Sequence, residues 1–214
     1  MIIKKKHIPF GIIKFAGSLI NLFFKIRFNK FIIRKIPIKP NHSYLLMCNH
    51  FSFGDGFLAY FLSFNAIYPA FNDMNIMIMK KQLQKNPWLR YIGGFSIDPG
   101  KASVAESIAH AAEILSKPGN LLLFYPQGNL ESQHVRTIEF QDGINQIIPK
   151  IKGDCQIIWS SNIVEYFESL TASIHFNMLD CGTNHDFNFE ELKEKVNQHH
   201  QNSFQQNLRY TVEK

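Results

Sequence analysis

Two short apolar runs without polar alternation limit what this chain can fold into. Ser43–Cys48 and Leu121–Tyr125 read as strands buried on both faces, and Pro126-Gln127-Gly128 ends the second. Ile76–Met79, Phe95–Asp98, Gln156–Trp159 and Ala172–Leu179 read as further strands. Helical stretches fall between them. Gly56–Phe64 fits a helix with Asp55 as its N-cap, and Lys80–Tyr91 fits one that Pro87 kinks or restarts. Ala102–Leu115 is the clearest helix, with Ala105, Ile108, Ala109, Ala112 and Leu115 on one face. Gly143–Lys150 and a polar helix from Phe189 to His200 or beyond complete the series. Strands alternating with helices predict the α/β class: a single layered domain with a mostly parallel sheet flanked by helices. The 214 residues suffice for a proper core, and no repeat or interdomain linker is visible.

Charge sets the first quarter apart. Residues 1–54 hold ten Lys and Arg and no acid, whereas the rest carries 13 Lys and Arg against 17 Asp and Glu. The basic segment is also apolar, with Phe and Ile interleaved among the cations from Ile8 to Phe24. A nucleic-acid arm is usually polar and solvated, so no nucleic-acid partner is expected; an anionic membrane surface suits this segment better. Its longest uncharged run, Phe15–Phe24, has ten residues, too few for the roughly 20 of a spanning helix. Residues 1–40 therefore read as a basic amphipathic membrane-associating segment, with an N-terminal interfacial helix near residues 8–28, and residues 41–214 as the main domain. An amphipathic helix packed on its own domain is the alternative. A signal peptide is not expected, because no small-residue cleavage site follows and Lys25, Arg27 and Lys30 come at once. Three widely spaced cysteines give no complete disulfide set and no zinc spacing, so a reducing compartment is expected and no metal site.

The strongest local signal is Asn49-His50-Phe51-Ser52-Phe53-Gly54-Asp55. A histidine stands just past a buried strand, and a carboxylate follows at the mouth of a helix. A glycine-bearing turn can fold the Asp back onto the imidazole. That fixes the tautomer and raises the basicity of the other ring nitrogen, which can then take a proton from an alcohol. The same two residues also fit a plain helix cap beside a surface histidine, and alone they favour that structural reading.

The surroundings add to the pair. Asn49-His50-x-Ser52-x-x-Asp55 resembles the first block of the glycerolipid acyltransferase family, lysophosphatidic acid type. Gly94-Phe95-Ser96-Ile97-Asp98 is similar to that family's second block. Leu121–Phe124 running into Tyr125-Pro126-Gln127-Gly128-Asn129 is similar to its third, and Phe140-x-x-Gly143 follows as expected. The likeness covers roughly Tyr44 to Trp159. It implies a lipid O-acyltransferase, residues 41–214 being the acyltransferase domain, peripheral on the cytoplasmic face of the cell membrane and serving phospholipid biosynthesis. The acyl group would pass from acyl-CoA or acyl carrier protein to a hydroxyl of a lysolipid-like acceptor, with no further cofactor. His50 would be the general base and Asp55 its orienting partner. Asn49, Ser52, Gly54, Asp98, Lys101, Pro126, Gln127, Gly128 and Asn129 would bind substrate, and backbone N–H groups around Phe51–Gly54 would hold the oxyanion.

The departures concern the acceptor. Pro99 and Leu130 stand where the similar blocks have Arg, Gln127 where they have Glu, and Asn129 where they have Thr. Recognition of a phosphate is doubtful without guanidinium forks, unless Lys101 or Arg136 substitutes. A catalytically idle relative that binds lipid or a partner is the alternative function. Elsewhere, His199-His200 reads as a solvated face, His110 as surface or satisfied structure, and Cys48 as a buried thiol. Phe51, Phe53, Phe57 and Phe61 line either core or acyl groove.

Overall fold

The two apolar runs lie side by side near the centre of a seven-stranded sheet, as β2 (Ser43–Cys48) and β5 (Asn120–Phe124). The structure is a computed structural model that describes residues 1–167 and 169–208. The other strands are β1 (Phe31–Arg34), β3 (Asp73–Met79), β4 (Gly94–Ile97), β6 (Cys155–Glu165) and β7 (Ser173–Thr183). Their order is β1-β7-β6-β2-β5-β3-β4, every pair parallel except β6 with β7. The chain is thus a single α/β domain with a mostly parallel sheet. Leu45 and Leu122 face one layer and Leu46 and Leu123 the other, all fully buried, each worth about 2 kcal/mol relative to exposure.

One face is covered by α1 (Phe10–Arg27) and α2 (Asp55–Leu62), the other by α4 (Val104–Leu115), α5 (Gly143–Ile147) and α6 (Phe189–Gln205). The stretch Lys80–Tyr91 divides into α3 (Lys80–Lys85) and a 3-10 turn that Pro87 starts. The buried face of α4 is Ser107, Ile108, Ala111, Ala112, Ile114 and Leu115, so the expected stripe is rotated and Ala105 and Ala109 are exposed. The Ser107 hydroxyl, donating to Ser96 O at 2.9 Å, ties that face to β4, and alanine is indifferent to which side it takes.

Other expectations are corrected too. β1 lies inside the basic segment, where no strand is expected. The two late strands run to eleven residues each because Ser160, Ser161 and Asn162 continue β6 through backbone pairing, which needs no apolar side chain. Asp55 does not cap α2: it is the first helical residue, Gly54 holds the N-cap position, and no side chain caps that end.

α1 packs Ile13 and Phe24 inward. Tyr60 Oη donates to Ile13 O at 2.6 Å, and a Cβ on Gly17 would stand 3.2 Å from the Tyr60 ring. Its other side exposes Ile12, Phe15, Leu19, Leu22, Phe23 and Ile26. Among the described residues no helix is long and apolar enough to cross a membrane. Before α1 the chain runs along β4, where Ser96 N–H donates to Ile3 O at 2.9 Å. After α1 it enters the sheet as β1 beside β7. Residues 1–40 therefore reach both outer strands.

Candidate active site

The C-terminal ends of β2, β5, β3 and β4 share one sheet edge, because these strands are all parallel. His50 follows β2, Gln127 follows β5, Lys80 follows β3 and Asp98 follows β4. At the centre, His50 Nδ1 lies 2.9 Å from Asp55 Oδ2. The same oxygen accepts the Phe51 N–H at 2.6 Å and the Ser52 N–H at 2.8 Å. Asp55 is fully buried, and its Oδ1 has no hydrogen-bond partner among the described residues. A carboxylate accepting at Nδ1 requires a proton there, so in the neutral imidazole Nε2 is the nitrogen that carries the lone pair. No described residue bonds Nε2, and the imidazole side chain is 25% exposed. The ring stacks on Tyr125, centroids 4.3 Å apart and planes 24° apart.

The predicted binding residues divide by what they touch. Asn49 braces β6, donating to Asn162 O at 3.0 Å and accepting the Asn162 N–H at 2.7 Å. Ser52 Oγ accepts the Gly54 N–H at 2.9 Å. With Phe51, Ser52 and Gly54 N–H so engaged, the expected oxyanion donors reduce to the Phe53 N–H, which has no bond among the described residues. Pro126 is buried, Gly128 turns the loop with φ 71°, and Asn129 is exposed. Gln127 is the member of that loop that reaches the histidine, its Oε1 accepting the His50 N–H at 2.6 Å. Asp98 and Lys101 lie on the same edge but three strands from β2, roughly 14 Å away at ordinary strand spacing. Arg136 lies over the Phe204 ring at 3.9 Å, and Lys101 is exposed.

Sequence reasoning missed four contributors: Tyr125 under the imidazole, Asn162 behind Asn49, Glu131 beside Gln127, and Lys80, whose Nζ lies 3.4 Å from Asp98. Lys80 directly follows a strand that points at the same edge as His50, a signal already present in the reading of Ile76–Met79 as a strand. His200 is corrected as well. It is 1% exposed, with Nδ1 2.9 Å from Ser161 Oγ and Nε2 3.1 Å from Val135 O, and it lines the cleft beside His50. Burial pushes its pKa down to about 4. The Cys48 thiol is pushed far up by burial, which removes it as a nucleophile near neutral pH. Burial likewise raises the Tyr125 phenol well above its usual value. Among the described residues no His, Cys, Asp and Glu are grouped as a metal site.

The family profile for acyltransferases matches residues 30–158, more than half of the chain, and it takes in the His50 turn and the loop after β5. The chain belongs to the acyltransferase family. Its fold is similar to that of a crystal structure of the 1-acyl-sn-glycerophosphate (LPA) acyltransferase, PlsC, from Thermotoga maritima. That likeness has TM-score 0.64 and 14% identity, and covers 95% of this chain and 82% of that one. No curated protein matches in sequence. The family match begins at residue 30, so it leaves α1 outside and takes in β1. Within this acyltransferase the His50–Asp55 pair and Gln127 share one polar cluster at the sheet edge.

Proposed function

We propose that this acyltransferase moves an acyl chain from an acyl thioester, carried by coenzyme A or acyl carrier protein, to a hydroxyl of a lipid acceptor. The observation that carries the reading is the 2.9 Å contact between His50 Nδ1 and Asp55 Oδ2, with Nε2 unengaged. Nε2 takes the proton of the acceptor hydroxyl as the oxygen attacks the thioester carbonyl. The C–S bond of the tetrahedral intermediate then breaks, and the imidazolium returns the proton to the departing thiolate, giving ester and free thiol. Asp55 stabilises the imidazolium formed on the way. Consumption of acyl-CoA and of acyl carrier protein thioesters with a panel of lysolipids tests the proposal. No transfer from either donor to any lipid hydroxyl would refute it and favour an idle lipid-binding relative.

The acceptor is a lipid of little net charge. Positions 99 and 130 carry no cation, Arg136 is held on Phe204, and the Lys80 ammonium is already paired with Asp98. A phosphate dianion finds no guanidinium fork there. Lysophosphatidic acid is therefore expected to be turned over at least tenfold less efficiently than a lysolipid without a phosphate monoester, a difference of about 1.4 kcal/mol. Equal kcat/KM for the two would overturn this choice.

The protein binds the cytoplasmic face of an anionic membrane peripherally through the exposed stripe of α1, flanked by Lys14, Lys25 and Arg27. Removing residues 1–34 would also remove β1, so point changes are the sounder test. Phe15→Glu with Phe23→Glu is expected to release the protein from anionic vesicles in flotation while the fold persists. Raised salt weakens the wild-type contact by screening. Flotation unchanged in the double variant would move the contact elsewhere.

A further inference from the structure

A closed circuit of hydrogen bonds surrounds the backbone of His50. Its N–H donates to Gln127 Oε1 at 2.6 Å. Gln127 Nε2 donates to the Glu131 carboxylate. The Glu131 N–H donates back to His50 O at 2.9 Å. Gln127 is 3% exposed, so its amide has no water to fall back on. We propose that Glu131 is a positioning residue for His50, acting through Gln127, and that the carboxylate at 131 and the neutral amide at 127 form one functional unit. The inference rests on the proposed role of His50 as general base.

An amide offers oxygen at one end and N–H at the other. The His50 N–H can donate only to the oxygen end, and the Glu131 carboxylate can accept only from the N–H end. Glu131 therefore fixes which way Gln127 faces, and a reversed amide would break both bonds. A carboxylate at 127 would meet a second carboxylate at 131 within hydrogen-bond reach. Two such groups do not both ionise, and one is held protonated. That accounts for Gln at the position where the similar sequence block has Glu: the charge stands four residues further on.

The test is a cycle of Gln127→Glu, Glu131→Gln and both together, read by thermal melting and by acyl transfer at pH 5.5 and 8.5. Gln127→Glu creates a carboxyl that is protonated in the fold and ionised when unfolded, so its stability is present at low pH and lost as the pH rises. An unfolded glutamate ionises at about pH 4.3, so part of the loss is already present at pH 5.5. Relative to wild type, the variant should melt about 3 °C lower at pH 5.5 and about twice that at pH 8.5. Its kcat should fall about tenfold at pH 8.5 with KM little changed, as loosening of the base predicts. In the double variant the carboxylate now at position 127 accepts from both the His50 N–H and the amide now at position 131. It should regain melting and kcat at both pH values. Gln127→Glu that tracks wild type at both pH values, or a double variant no better than Gln127→Glu, would overturn the proposal. Should Gln127→Glu not fold, recovery of a folded double variant supports it and failure of both overturns it. The melting arm needs no turnover. A wild-type protein without acyl transfer therefore refutes the proposed function while the cycle still decides this pairing.

Discussion

His50→Ala is expected to lower acyl transfer by about 10³-fold, near 4 kcal/mol, with the melting temperature within a few degrees of wild type. The imidazole is part-exposed and stacked on Tyr125, so its removal opens space at a surface and not in the core. Asp55→Asn is a different kind of loss. The carboxylate oxygen receives three donors, and a neutral amide oxygen holds them less strongly, so the turn from His50 to Asp55 weakens together with the imidazole's tautomer. Transfer should fall about 100-fold, and the fold should lose stability as well. Steady-state kinetics with melting curves on both variants separate the two. A His50→Ala protein that keeps most of its turnover would remove the general-base assignment.

Acid should weaken this protein steeply before it reaches the carboxylate range. His200 is buried with a pKa near 4, against about 6.5 for an unfolded histidine. Above pH 6.5 the group is neutral in both states. As the pH falls from there, the unfolded chain takes up a proton that the folded chain refuses until about pH 4. Stability is therefore full above pH 6.5 and declines by about 1.4 kcal/mol per pH unit through that window, on the order of 3 kcal/mol in all. Burial also lowers the pKa values of His175 and His199, which add in the same direction. His200→Gln, which can still donate to Val135 O, is expected to flatten the decline by about one proton's slope. Chemical denaturation at a series of pH values from 7.5 to 4.5 measures it. An unchanged slope in the variant would show that the acid sensitivity lies elsewhere.

The parts of the fold that sequence made legible are those where burial and composition coincide. β2 and β5 are buried on both faces and almost wholly apolar, so their runs stand out. β6 is buried through Ser160, Ser161 and Asn162, whose side chains bond inside the fold and so look like loop in the sequence. β1 is four residues on an edge, embedded in cations that describe the surface and not the sheet. α6 concealed its inner face because His200 and Ser203 follow Leu192 and Val196 at helical spacing, yet polarity suggested solvent. The candidate site shows the same division. His50 and Asp55, the proposed base and its orienting partner, are close in sequence and are residue types that show such a pairing openly. Tyr125, Asn162 and Glu131 act through stacking and backbone bonds between distant segments, which no local pattern records.

The pairing of β1 with β7 has a consequence in time. Arg34 and Asn177, bonded across that pair, are 143 residues apart. On a ribosome adding about 5–20 residues per second, the strand that receives β1 emerges on the order of ten seconds after β1 itself. Throughout that interval α1 carries apolar side chains on both sides and the sheet edge that anchors its far end does not yet exist. Under the proposed membrane role, α1 is free to meet a lipid surface near the exit site before the sheet can close behind it, so contact with lipid and completion of the sheet are separable steps.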